Sequence, residues 1–437
     1  MAERSLAAPA APAVARAAGG GSAGPARLAN RNFLLLWQGQ AISQLGNQAF
    51  ALAMSFWSLE ATGSATLMGL LLATTSLPMS LLAPLGGALA DRLPRLRILV
   101  ACDCLAGAAM MGLGAAMLAG RFSRPTLIGL LFAAAFVSGV VNAFFQPALT
   151  AAIPDLVPAG RVTAANSLNQ LSIRTAVLIG QGIGGVLFRL VGAPRIFLFD
   201  GLTFLYCAGS EALVRMPPRP AAARPGVGAG ARQFVAALRE GFAYVAGTPG
   251  LLGYMAAPIA YNFFTMPVAV LLPFYVTMNL HAGAEWYGFL LAAMTCGSIA
   301  GFLIAGLVRL SGRARGRFLA ALIAVAPVPM VVTGFVHRPV VALALAFGLG
   351  ALLGLINVHM ITQLQTTTPE QLRGRVLGLW TALATALIPL GMALGGFAGD
   401  LTGKNIPLVF TCCGILTLAV TALSLGRRST REFLARG

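Results

Sequence analysis

Charge is scarce in this chain, and acidic charge scarcer still. Of 437 residues only 12 are Asp or Glu, three are His, and 10% are charged in total. A soluble protein carries about a quarter charged residues. So few ionisable side chains cannot cover the surface of a water-soluble enzyme of this length. The histidines His281, His337 and His359 are scattered, so neither a zinc set nor a catalytic triad is visible. The six cysteines, Cys102, Cys104, Cys207, Cys296, Cys412 and Cys413, lack metal-ligand spacing and do not form a disulfide framework. They read as small buried apolar residues. Gly399-Asp400-Leu401-Thr402-Gly403-Lys404-Asn405 hints at a phosphate loop, but its glycine spacing is wrong and Asn405 replaces the hydroxyl. No enzyme activity, metal or cofactor is expected.

What the chain does contain is apolar residues, at 58% with a mean hydropathy of +0.83. They gather in 12 stretches of spanning length, near 33–58, 66–90, 98–119, 126–147, 163–190, 195–214, 250–278, 285–309, 316–336, 340–365, 375–399 and 406–426. A span needs roughly 20 apolar residues to cross ~30 Å of hydrocarbon. In lipid the backbone must bond within the segment, so these are helices. The expected fold is an all-α integral membrane protein, with 12 transmembrane helices in two six-helix bundles.

Basic residues fix the expected orientation. Of the 30, 23 fall on the connections that share a side with the chain ends. Six fall on the other side (Arg121, Arg124, Arg189, Arg195, Arg338 and Lys404), and Arg174 lies within a span. That asymmetry places both termini in the cytoplasm. The net charge of +18 therefore answers to anionic inner-leaflet lipid and not to nucleic acid, for which no recognition motif is present. Residues 1–30, rich in Ala, Pro and Gly, read as a disordered cytoplasmic tail and not as a secretory signal. The expected plan continues with a first bundle over 31–215, a cytoplasmic central loop over 216–249, a second bundle over 250–426 and a basic tail over 427–437. Within the central loop, Phe234, Leu238, Phe242 and Val245 recur at helical spacing and suit a surface-lying helix.

The halves echo each other. Pro158, Arg161, Val162 and Asn166 precede span 5, as Pro369, Arg373, Arg375 and Val376 precede span 11. Weak internal repetition of this kind marks many secondary transporters. At the end of span 2 stands Gly87-Ala88-Leu89-Ala90-Asp91-Arg92-Leu93-Pro94-Arg95-Leu96-Arg97. This string resembles the G-x-L-A-D-R-x-x-R-x-[RK] signature of the major facilitator superfamily. The resemblance implies that Asp91 latches against the start of span 11 in the outward-facing state, with Gly87, Arg92 and Arg95 in support. Phe144-Phe145-Gln146-Pro147-Ala148, Ile153-Pro154-Asp155-Leu156-Val157-Pro158, Ala165-Asn166-Ser167-Leu168, Thr62-Gly63-Ser64-Ala65 and Pro369-Glu370 with Arg373-Gly374-Arg375-Val376 are similar to the enterobactin-exporter and macrolide-efflux branch. The similarity covers about residues 30 to 425.

The sequence departs from that pattern in places. Gln181 stands where such exporters often have the proline of G-P-x-x-G-G in span 5, and Asn47 stands where the branch often has an acid. The arginine that many drug/proton antiporters place in span 4 is missing. Proton coupling then falls to another acid. A charge at mid-bilayer costs about 2.5–3.5 kcal/mol, so those present are functional suspects. Asp200 in span 6 and Asp103 in span 3 are the candidates. The alternatives are snorkelling or pairing with Arg195 for Asp200, and pairing with loop arginines for Asp103. Glu211, at the end of span 6, is expected to reach water.

Polar side chains outline a cavity. Gln40, Gln44 and Asn47 share one face of span 1, Asn142 and Gln146 one of span 4, and Gln170, Arg174 and Gln181 one of span 5. Tyr254, Tyr261 and Asn262 in span 7, His359 and Gln363 in span 10 and Trp380 in span 11 join them. Arg174 suits an anionic substrate group. For each residue a hydrogen bond between helices is the competing role. The function expected is a monomeric inner-membrane exporter of a hydrophobic or amphiphilic small molecule, such as a drug, a macrolide-like compound or a secondary metabolite, driven by proton antiport. A siderophore or peptide-like natural-product exporter, an uncoupled facilitator, and a non-transporting receptor or immunity protein on the same scaffold are the alternatives.

Overall fold

The computed structural model describes residues 30–216, 227–308 and 312–435. The expected N-terminal tail and the prolines Pro217, Pro218, Pro220 and Pro225 of the central loop lie outside the described residues. The first half holds α1 (Arg31–Thr62), α2 (Ala65–Ala90), α3 (Arg95–Ala119), α4 (Arg124–Leu156) and α5 (Val162–Ala212). Helix α6 (Val227–Gly247) follows in the central loop. The second half holds α7 (Leu251–Phe274, prolonged by a π turn over Tyr275–Asn279), α8 (Ala284–Leu307), α9 (Gly312–Val325), α10 (Val328–Gly334) and α11 (Pro339–Thr367). It ends with α12 (Glu370–Ala386), α13 (Ile388–Leu401), α14 (Ile406–Gly426) and the short α15 (Arg428–Leu434).

Ten of these segments are long and apolar enough to cross a membrane, with α9–α10 and α12–α13 each counted as one broken crossing. Helix α5 carries two crossings. Its 51 residues would run ~75 Å at 1.5 Å per residue, and it turns at Gly192, whose φ of 76° suits only glycine. Helix α1 is the remaining crossing, its hydropathy diluted by Gln38, Gln40, Gln44, Asn47 and Gln48. Among the described residues the fold is thus all-α, with twelve crossings in two six-helix halves.

Helix ends follow local chemistry. Asn30, Ser64, Ser123 and Asn405 accept a backbone N–H of the first turn of α1, α2, α4 and α14. Gly63 and Gly120 end α1 and α3 in the left-handed region. Helix α4 does not stop at Pro147 as expected but runs on through Pro154 to Leu156. Neighbouring helices support a proline inside a bundle, where an isolated helix would break.

Even crossing numbers put both chain ends on one face, here called the terminal face. There Asn30 donates to the Leu156 carbonyl at 2.8 Å, and Asn32 exchanges two hydrogen bonds with Arg215. The expected basic tail is not free. Its helix α15 folds back on α7 and α11, burying Phe433 and Leu434, because Gln363 donates to both carbonyls and Tyr254 packs on the Phe433 ring. Helix α6 lies against α12 and α2, and its Glu240 pairs with Arg375.

Candidate functional site

The two halves meet at the face opposite the termini. Helix α2 runs along α13, where Gly69 and Gly396 bring the backbones together: a methyl on Gly69 would meet Gly396 Cα at 3.0 Å. The seam is clamped by Asp400. Its carboxylate accepts from the Ser64 hydroxyl (2.7 Å), the Ala65 N–H (3.0 Å) and the Thr66 N–H (2.9 Å), so an acid of one half caps a helix of the other. Helices α5 and α8 form a second seam. Gly185 lies against Ala284 and Gly288 against Gln181, Thr295 donates to the Gln181 side chain at 3.2 Å, and Arg189 pairs with Glu285 at 3.1 Å. The Phe56 and Tyr287 rings meet edge-on nearby.

Toward the terminal face these seams open. Gln181, Arg174 and Gln170 share one face of α5, yet Arg174 and Gln170 are exposed where Gln181 is packed on α8. At the far end of α2, Gly87 has open space around it and Asp91 is exposed, with no ion-pair partner among the described residues. Arg92 is half-buried. Arg95 is buried and pairs with Asp155 at 2.7 Å, also donating to the Ala151 carbonyl, which ties α3 to the end of α4. The described seams therefore join the halves at one face, while at the other Asp91 stands exposed and Gly87 has open space around it.

The expected cavity residues divide. Tyr261, Asn262 and Trp380 line a cavity of about 180 Å³ in the second half, together with Asn357, Met360 and Thr421. The Tyr261 hydroxyl is buried there without a hydrogen-bond partner. Gln44, Asn47, Asn142 and Gln146 are half-buried, and Asn142 donates back to Ser138. Gln40, Tyr254, His359 and Gln363 are buried inside one half or the other. Tyr254 donates to the Met360 carbonyl, and Phe318 stacks edge-on against His359.

The acids do not behave as expected. Glu211 does not reach water: it is wholly buried and accepts from Gln40 at 2.9 Å. Asp200 neither snorkels nor pairs with Arg195, which donates to Val191 instead. Both Asp200 carboxylate oxygens are buried without a partner, and the adjacent Thr203 hydroxyl is spent on the Asp200 carbonyl. Gly46 makes the room, since a methyl there would meet Asp200 Oδ1 at 2.6 Å. Asp103 pairs with no loop arginine among the described residues; it is buried beside Cys207 and Glu211, with the ligand atoms of all three within 4.8 Å. These three are the described side chains best grouped to hold a cation. The cysteines are also more varied than expected, Cys104 and Cys412 being exposed.

Sequence reading missed Asp400, Glu211, Cys207 and Asn357. Asp400 sat in a string judged only as a phosphate loop. Glu211 lay too near a span end to be read as buried. Asn357 lies two residues from His359, on another helix face.

The model of a family described as transmembrane secretion effector matches residues 22–432. The chain belongs to that family of major facilitator transporters. The chain is similar to the macrolide efflux protein A of Streptococcus pyogenes, 24% identical over 400 residues (89% of this chain, 94% of that protein). The multidrug efflux pump Tap of Mycolicibacterium fortuitum is 27% identical over 389 residues (87% and 92%). The enterobactin exporter EntS of Shigella boydii is 29% identical over 375 residues (83% and 84%). The fold matches a crystal structure of a bacterial homologue of the human lysosomal transporter Spinster, at a TM-score of 0.61 and 14% identity, over 92% of this chain and 96% of that one. Membership of that family makes this a multi-pass membrane transporter and not an enzyme.

Proposed function

We propose that this chain exports an amphiphilic small molecule across a bacterial inner membrane by proton antiport, with the terminal face in the cytoplasm. The reading rests on one observation above the others: the halves are clamped at one face by Asp400, while at the other Asp91 stands exposed and half-buried Gly87 has open space around it. Substrate enters from the latter side. Rocking of the halves then exposes it to the other side.

Two contacts on the same helix pair would alternate. At one end Asp400 of α13 caps α2. At the other end Asp91 of α2 would cap α12, where Glu240 now holds Arg375. Each acid meets a helix N-terminus, whose free N–H groups favour negative charge.

The cavity of about 180 Å³ near Tyr261, Asn262 and Trp380 is smaller than the ~300 Å³ at which drug-sized pockets begin, so it takes one arm of the substrate. The rest lies between the halves, against Gln44, Asn47, Gln170 and Arg174. Export of an anionic siderophore-like metabolite is the second reading, favoured by the exposure of Arg174 on that path. Asp200 and Asp103, buried without ion-pair partners, are the proton-carrying candidates.

Everted membrane vesicles given external ethidium or enterobactin, with and without a proton uncoupler, test the proposal. Uncoupler-sensitive accumulation of either compound supports antiport. Accumulation that ignores the uncoupler leaves a facilitator, and no accumulation of any compound sinks transport altogether.

A further inference from the structure

Inside the first half, where α1, α3 and the second arm of α5 converge, four polar side chains share one dry site. Asp103, Cys207 and Glu211 are each 1% exposed or less, and Gln40 is 5% exposed. The Gln40 amide donates to Glu211 Oε1 (2.9 Å) and to Cys207 Sγ (3.2 Å), and the Cys207 thiol points at Glu211 Oε1 (3.8 Å). Gly39 makes this approach possible, since a methyl there would meet Cys207 Sγ at 3.0 Å. Two acceptors remain unsatisfied, Asp103 Oδ2 and Glu211 Oε2, both buried.

Two ionised carboxylates cannot share so dry and close a space, because each would face a like charge without water to screen it. No basic side chain compensates: among the described residues no arginine, lysine or histidine pairs with either acid. The titratable groups facing the site are Asp103 and Cys102 from α3 and Cys207 and Glu211 from α5, while α1 supplies the neutral Gln40. The unsatisfied oxygens therefore call for a cation, and the smallest is a proton held between the two carboxyl groups.

We propose that Asp103 and Glu211 form a two-carboxylate proton site, with Gln40 and Cys207 as positioning residues, and that this pair is the coupling site of the exporter. The coupling part rests on the antiport reading above; the proton site stands without it. Gln40 lies on the same face of α1 as Gln44 and Asn47, which are half-buried. A shift of α1 that followed substrate would move the Gln40 donor relative to Glu211. Withdrawing the donor strengthens the hold of the pair on its proton, and returning it favours release. The proton enters and leaves as H⁺, so nothing else is consumed.

The experiment uses the full-length protein in liposomes. Infrared pH-difference spectra follow the carbonyl stretch of protonated carboxyl groups, independently of transport. The wild-type protein should show a buried carboxyl band that titrates. D103N and E211Q should each remove or displace it, and Q40L should move its midpoint upward by about one pH unit, a tenfold gain in proton affinity. C207S, the mildest change in volume, should keep the band with an altered frequency, which guards against variants that fail to fold. In parallel, ethidium efflux driven by an imposed pH gradient should fall about tenfold in E211Q while downhill efflux persists. A wild-type protein without any titrating buried carboxyl overturns the proposal, as does a band unchanged in either D103N or E211Q. Micromolar binding of Cd²⁺ through a Cys207 thiolate also overturns it, assigning the site to a metal. If the bands behave as expected but wild-type efflux ignores the gradient, the antiport reading fails and the proton site remains.

Discussion

Asp400 and Ser64 lie at opposite ends of the sequence yet share a 2.7 Å hydrogen bond, and two backbone N–H groups beside Ser64 complete the grip. This one carboxylate joins the halves on the face away from the termini. Substituting it removes three acceptor contacts at a helix start, and an unsatisfied buried group costs about 1–3 kcal/mol.

D400A should therefore shift the population toward the opposite orientation by roughly 5- to 150-fold, since 1.4 kcal/mol is a factor of ten. Spin labels on L93C and G374C, near the start and partner of the Asp91 turn, would report it as a shorter distance. An unchanged distance distribution would show that the remaining contacts of the two seams hold the closure without Asp400.

D91A should abolish efflux of ethidium while leaving yield and membrane insertion as in the wild type. The same spin-label pair should keep its long distance even in D400A, because the opposite clamp is then missing too. Normal efflux in D91A would refute the latch.

Much of this fold was legible in advance, and the reasons are local. The apolar stretches 66–90 and 406–426 coincide almost residue for residue with α2 (Ala65–Ala90) and α14 (Ile406–Gly426). Apolar runs of spanning length need no tertiary knowledge. The acids resisted reading because burial depends on partners distant in sequence. Glu211 looks like a boundary residue until Gln40 and Asp103 close over it, and Asp400 looks like a loop residue until α2 arrives. The run of α4 past residue 147 escaped for the same reason, since neighbouring helices support Pro147 and Pro154 within it.

D200N should retain folding and remove part of any pH dependence of efflux, because the wild-type carboxyl sits buried without a partner. Comparison of gradient-driven ethidium efflux at acidic and neutral pH is the check. Identical pH profiles for D200N and wild type would acquit Asp200 and leave the Asp103–Glu211 pair as the carrier.

G46A is expected to destabilise. Its new methyl would meet Asp200 Oδ1 at 2.6 Å and Thr203 Oγ1 at 2.5 Å, both in a packed helix crossing. Overpacking of this kind costs about 1–3 kcal/mol. The thermal midpoint in detergent should fall by several degrees, and adding T203A should recover part of the loss.

R174A should weaken export of enterobactin more than export of ethidium, since an exposed guanidinium on α5 favours anions. Equal loss for both compounds would assign Arg174 to folding or lipid contact.

The seam between Gly69 and Gly396 has a mechanical corollary. Backbones that touch without side chains leave no slack, so anything inserted there acts as a doorstop. G396L would prop that mouth ajar.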